Sequence, residues 1–169
     1  MLKKRSIDPQ VREELLAAYK QMMWLARQPT VTASMARAWF THIVVGRLAS
    51  RIRMFTGKVS AKAAKDPREM LRLEHYKRIQ TSITQLVRRH LELKAPRPDE
   101  FIELVIQCER VHIVTFHENY AAMKASGNYR KAGITLRNWN TLSRKTRTAL
   151  WARMLRGRVA NAARFQPGL

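Results

Sequence analysis

The chain has 169 residues, 46% of them hydrophobic and 8% aromatic, which is enough apolar material for one domain with a real core and too much for wholesale disorder. Its 33 Lys and Arg against 12 Asp and Glu leave a formal charge of +21, far beyond what solubility needs, and the self-repulsion of such a chain is relieved by a polyanion. A single cysteine, Cys108, excludes an internal disulfide framework, and no apolar run approaches the roughly 20 residues of a membrane span.

Apolar period and punctuation give five segments, with an ambiguous stretch between the fourth and the last that has room for a further short helix. The first is expected from about Pro9 to Gln28, with Asp8 as N-cap and Pro9 at the first helical position. Val11, Leu15, Tyr19, Met22, Met23 and Ala26 form its apolar stripe. The second runs from near Thr32 to about Thr56, capped by Gly57, with Met35, Trp39, Ile43, Leu48, Ile52 and Phe55 turned inward. Residues 57–66 read as a Lys/Ala-rich linker. Asp66-Pro67-Arg68-Glu69 then combines an N-cap, a first-turn proline and a capping-box glutamate. That predicts a third helix to about Leu93, with Leu73, Tyr76, Ile79, Ile83, Leu86, Val87 and His90 or Leu91 facing the core. Ala95-Pro96-Arg97-Pro98 breaks the chain, and a fourth helix follows from Asp99 to about Arg110.

Val111-His112-Ile113-Val114 is β-branched and fits either a short strand or more helix. Thr115-Phe116-His117-Glu118 has capping-box spacing for a helix from Phe116 to Ser126, closed by Gly127. Gly133-Ile134-Thr135-Leu136 is then a candidate partner for residues 111–114 in a two-stranded ribbon. The last helix begins near Ser143 and carries Leu150, Trp151, Met154, Leu155 and Val159. Continued to Phe165 it would put Arg158 inside its apolar stripe, a costly burial, so a break at Gly157 is expected. The expected fold is mainly α: a compact bundle of four to six helices in a single domain, with room for the small ribbon near residues 111–138.

The charge is unevenly spread. Residues 1–58 carry a net +8, residues 59–118 a net +2, and residues 119–169 a net +11 with no acid at all. The middle therefore reads as a near-neutral scaffold, about 59–118, and the C-terminal segment as a binding surface. Its Lys124, Arg130, Lys131, Arg137, Arg144, Lys145, Arg147, Arg153, Arg156, Arg158 and Arg164 are the expected phosphate contacts. Arginine dominates, and its planar fork suits bidentate contact with phosphate oxygens. On the helix from Ser143, Lys145, Arg153, Arg156 and Arg164 fall opposite Trp151 and Leu155, so one face can lie along a backbone. A second group is Arg37, Arg47, Arg51, Arg53, Lys58, Lys62 and Lys65, in which Arg47 and Arg51 share a face. Tyr129, in a Gly-Asn-Tyr-Arg-Lys turn, is the aromatic best placed to stack on a base, whereas Tyr76 and Trp139 read better as core.

Competing chemistries have weaker support. Cys108, His112 and His117 with Glu118 form a C-x3-H-x4-H-E run, but zinc usually takes four ligands and no second pair stands at finger-like spacing. Asp99, Glu100 and Glu103 cluster where any helix start favours acids, and no phosphate-binding glycine loop is present. The basic, amphipathic, tryptophan-bearing C-terminal segment would also suit an anionic membrane surface.

The sequence thus predicts a non-catalytic, cofactor-free nucleic-acid-binding protein that contacts phosphate backbone with modest sequence preference. The first form is a DNA-binding protein of a bacterium or mobile element. The alternative is a helical, RNA-bound accessory subunit of a ribonucleoprotein complex, such as an RNA-guided effector or ribosome, with other protein subunits as partners. Further alternatives are a metal-dependent nuclease using His112, His117 and Glu118, and a basic membrane-surface protein. The basic start from Met1 to Pro9 lacks the apolar core of a secretory signal, which with the lone cysteine predicts a cytoplasmic, nucleoid- or ribonucleoprotein-associated protein.

Overall fold

A computed structural model of the chain describes residues 7–93 and 95–168. The basic start, Met1 to Ser6, lies outside the described residues. In chain order the elements are α1 (Pro9–Ala26), α2 (Ala33–Trp39), a π-helical segment Phe40–Val45, α3 (Gly46–Ile52), β1 (Met54–Ser60), α4 (Ala61–Lys65) and β2 (Leu71–His75). There follow α5 (Ile79–Glu92), α6 (Pro98–Cys108), β3 (Arg110–Thr115), α7 (Phe116–Lys124) and β4 (Leu136–Asn138). A 3-10 turn Trp139–Thr141, α8 (Arg144–Leu150) with a π-helical end Trp151–Leu155, and a 3-10 turn Ala162–Phe165 complete the chain. Two compact units emerge: residues 1–52 with 79–107, and residues 53–78 with 108–169. The expected helical bundle is overturned, because the second unit is built on a four-stranded mixed sheet and the protein is an α/β fold.

In the first unit, α1 forms as its local chemistry dictates. Asp8 accepts the Gln10 N–H at 2.9 Å, Pro9 opens the helix, and the stripe from Val11 to Ala26 is buried. The π-helical segment then changes the register of the next rod, because its wider turn rotates whatever follows relative to an α-helical wheel. Phe40 and Val45 are buried there and Ile43, expected inside, is exposed; Met35, also expected inside, is exposed on α2 ahead of the segment. α5 contributes Ile83, Leu86, Val87 and His90, and α6 contributes Phe101, Ile102 and Val105. Both ring nitrogens of the buried His90 are engaged, with the Tyr19 hydroxyl at 2.9 Å and Glu100 at 3.0 Å. The His90 contact also holds the Glu100 carboxyl below its ordinary range.

In the second unit the strand order is β2-β3-β1-β4. β1 and β3 are parallel, and β2 and β4 run antiparallel to their neighbours. Phe55, Val59, Leu71, Val111 and Ile113 pack with Trp139, Leu150, Met154 and Leu155 in one core. The edge of β1 that β4 does not reach is closed by Asn161, whose side-chain amide exchanges two hydrogen bonds with the Phe55 backbone at 2.9 and 2.8 Å.

This sheet corrects several expectations. The second helix stops at Ile52, and Phe55 and Gly57 belong to β1. Gly57 does take a positive φ (+80°), but at a register shift in the strand rather than as a helix cap. Residues 57–66 are not a linker: they finish β1 and form α4, whose N-cap Ser60 accepts the Ala63 N–H at 3.1 Å. The third helix does not start at Asp66. Asp66 makes a turn instead, accepting the Arg68 N–H at 3.0 Å, and residues 71–75 pair with β3 before α5 begins. Tyr76, expected inside, is exposed. Residues 110–115 are strand, and β4 pairs with β1, not with β3 as the ribbon required. The helix opened by Ser143 ends before Gly157 (φ +68°), leaving Arg158 exposed.

Candidate nucleic-acid interface

The two units differ sharply in charge. The second holds 20 Lys and Arg against 5 Asp and Glu, a formal +15, and the first 13 against 7, a formal +6. Its acids are mostly withdrawn from the surface. Glu74, Glu109 and Glu118 are buried, Glu69 is half-buried, and Asp66 is exposed. Glu109 is held by Arg53 at 3.1 Å and His75 at 3.3 Å. Glu118 closes the capping box of α7 with Thr115. Sixteen of the unit's 20 basic side chains are exposed, so its outer field is almost purely positive.

One concavity gathers part of this charge. Lys62 and Lys65 from α4, Arg137 from β4, and Thr141, Ser143 and Thr146 around the start of α8 line a cavity of about 440 Å³. The sheet builds it: α4 leaves the end of β1 while β4 pairs antiparallel beside that end, with Val59 opposite Arg137 and Ser60 opposite Leu136. Three cations and three hydroxyls around one open cleft are groups that bind phosphate oxygens. Arg144 and Lys145 are exposed in the first turn of α8. Arg147, half-buried on the same helix, keeps an Nε that is buried and unpaired among the described residues.

The remaining basic side chains are distributed as follows. Lys58 donates to Asn138 at 2.6 Å across the β1–β4 pair. Lys124, Arg130 and Lys131 are exposed on α7 and the turn after it. Arg153 donates to the carbonyls of Pro67 and Glu69, bracing the loop before β2, and Arg158 donates to the Arg153 carbonyl at 3.1 Å. Arg156 lies over Trp151 and Arg164 over Phe165, at 5.9 and 5.8 Å from the ring centres. Because the helix ends early, Arg164 leaves the face that it was expected to share with Lys145, Arg153 and Arg156. Among the described residues, none of the eleven Lys and Arg beyond Glu118 forms an ion pair. Arg47 and Arg51 belong to the first unit. Arg47 is exposed, but Arg51 is matched by Glu14 at 2.7 Å and Asp8 at 3.7 Å, and their proximity raises its pKa.

A polar cluster crosses the middle of the sheet. Glu74 and His112 are direct cross-strand partners, and Thr56 Oγ1 lies 2.6 Å from His112 Nδ1. Tyr76 and Tyr129 flank the imidazole, with ring centres at 5.8 and 5.5 Å. The Tyr129 hydroxyl donates to Glu74. Burial, and secondarily the Lys58 charge, push His112 down to about 4, so the ring is neutral at physiological pH. Burial raises the Glu74 carboxyl, and burial with the Glu74 contact raises the Tyr129 phenol. Tyr129, the expected stacking residue, is thus tied into this cluster, and Trp139 is buried in the core.

The C-x3-H-x4-H-E run is dispersed by the strand inside it. Cys108 is buried at the end of α6, His112 faces Thr56, His117 is exposed on α7, and Glu118 serves its capping box. Among the described residues no group of three His, Cys, Asp or Glu is placed to hold a metal ion. No helix there is long and apolar enough to cross a membrane.

Lys62 and Lys65, basic candidates that the sequence places in a linker, stand instead on a helix, whose start Ser60 before an Ala/Lys run signals. The outer face of α7 has no counterpart in the sequence reading. Phe116, Tyr120 and Met123 are spaced i, i+4, i+7, which ordinarily marks a buried stripe, yet α7 buries Glu118 and Ala122 and exposes all three. The chain matches no protein-family model, no curated protein and no solved structure.

Proposed function

We propose that this protein binds nucleic acid, gripping the phosphate backbone with the basic surface of its second unit. The observation that carries the reading is the pairing of a +15 unit with acids that are largely buried or engaged, so that among the described residues its exposed cations have little internal counter-charge. A polyanion supplies that counter-charge, and releasing its condensed counterions drives association. The cleft of Lys62, Lys65 and Arg137 is the grip, because cations and hydroxyls there converge on one volume. Such contacts fix position on the backbone and carry little sequence information.

The test compares charge removal at two places. Lys62→Ala, Lys65→Ala and Arg137→Ala should each weaken binding to a mixed-sequence oligonucleotide and reduce the salt slope of affinity by about 1. Arg51→Ala, whose guanidinium is already matched by Glu14 and Asp8, should leave both unchanged. Equal effects at all four positions would contradict the cleft. Separate RNase and DNase treatment of the purified protein then identifies which nucleic acid copurifies, by which digestion changes its size.

A further inference from the structure

We propose that the outer face of α7 is a stacking platform for the bases of an unpaired nucleic-acid strand. The inference rests on the binding reading above and adds which form of nucleic acid is taken and where its bases go.

The helix is inverted in amphipathic sense. Its buried face is Glu118 and Ala122, while Phe116, Tyr120 and Met123 are 40%, 55% and 57% exposed. Scattered apolar side chains on a surface need no explanation, but three at i, i+4, i+7 share one side of a helix. Met70, 59% exposed, adjoins them, its carbonyl accepting the Phe116 N–H at 2.7 Å. Four residues advance a helix by about 6 Å, so the Phe116 and Tyr120 rings stand as two successive platforms.

Each ring carries its own cation. The Arg72 guanidinium lies 5.3 Å from the Phe116 ring centre, and the Lys124 ammonium 4.6 Å from that of Tyr120. Each cation lies over one face of its ring, so a base stacked on the opposite face brings its phosphate within reach of that charge, a combination that single-strand surfaces use. The charge around the stripe selects the occupant. A neutral protein helix would leave no role for the paired cations, an acidic one would meet them with carboxylates but bring no row of flat rings to Phe116 and Tyr120, and a duplex keeps the faces of its bases stacked inside. An unpaired strand offers both negative charge and free ring faces.

The cleft lies at the same end of the sheet. β1 and β3 are parallel, so both carboxyl ends point one way, and α4 and α7 start there. The Ser60 hydroxyl at the head of α4 donates to Glu118 in the first turn of α7 at 2.5 Å. A strand whose phosphates enter beside Lys62 and Lys65 therefore has the head of α7 directly at hand.

The experiment measures equilibrium binding of the full chain to a labelled single strand and to a duplex of equal length at low salt, with Phe116→Ala, Tyr120→Ala and Tyr120→Phe. The expected result is a preference of the unaltered protein for the single strand, a loss of about tenfold in single-strand affinity for each alanine variant, and retention by Tyr120→Phe, with duplex affinity unmoved. Alanine variants that bind the single strand as well as the unaltered protein overturn the inference and leave the backbone reading standing. A concentration-dependent dimer that Tyr120→Ala disperses also overturns it, since a second copy would then cover the stripe. Binding to neither nucleic acid at low salt overturns the backbone reading as well.

Discussion

The hydroxyl of Ser60 donates to Glu118 Oε2 at 2.5 Å, and the same oxygen accepts the backbone N–H of Thr115 at 3.0 Å. One buried carboxylate thereby joins the heads of the two helices that leave the parallel strands. Glu118→Ala would strand a hydroxyl and a backbone donor inside the unit, at a cost of about 2–4 kcal/mol. Glu118→Gln keeps an oxygen acceptor and should cost less. Urea unfolding checks the order. Equal midpoints for the alanine variant and the unaltered protein would contradict it.

His112 makes stability depend on pH. Its pKa in the folded protein is about 4 against an ordinary 6.5, so the unfolded chain takes the proton more readily. The contribution of the neutral ring is fully present above pH 6.5 and is lost as pH falls from 6.5 through about 4. Allowing for the part of the ring that solvent reaches, the loss is of order 2–3 kcal/mol. Around the ring stand Thr56, Tyr76, Tyr129, Glu74 and Lys58. Glu74, with its pKa raised, acts in the opposite sense: it stabilises at low pH and loses that contribution as pH rises through its folded value. Because His112→Gln retains Glu74, the stability gap between unaltered protein and variant reports the imidazole. That gap should shrink or reverse over this window, and a constant gap would contradict the burial argument.

Gly57 combines two demands. Its φ of +80° is one that L side chains rarely adopt, and an added Cβ would stand 3.3 Å from Cε1 of Phe165. That ring packs edge-on against Phe55 at 4.7 Å and Trp139 at 5.9 Å. Gly57→Ala should therefore cost at least the left-handed backbone penalty of about 1–2 kcal/mol. Gly133→Ala, with positive φ but open space around it, should pay the backbone part alone. Thermal unfolding of the two variants separates strain from crowding, and equal losses would remove Phe165 from the explanation.

How far the sequence could be read follows from the range of the interaction at each element. Asp8-Pro9, Thr115-Glu118, Ser143 and Gly157 punctuate helices through contacts within a few residues, and each lies where its element starts or stops. β2 was invisible because its partner, β3, is some forty residues away, while Asp66 satisfies its capping chemistry in a turn. Gly57 was legible as a positive-φ residue but not as a strand irregularity, since only the parallel partner reveals that role. Arg153 and the other arginines could be named from composition. The bonding of Arg153 to the Pro67 and Glu69 carbonyls, and the exposure of Phe116 and Tyr120, depend on which face each element buries.

The central claim is that exposed cations of the second unit displace counterions from a polyanion, and salt titration reads this directly. Affinity for a mixed-sequence oligonucleotide should fall by about 10³–10⁵ between 50 and 200 mM salt if some six to ten phosphates are neutralised. An affinity that stays nearly flat across that range would contradict it.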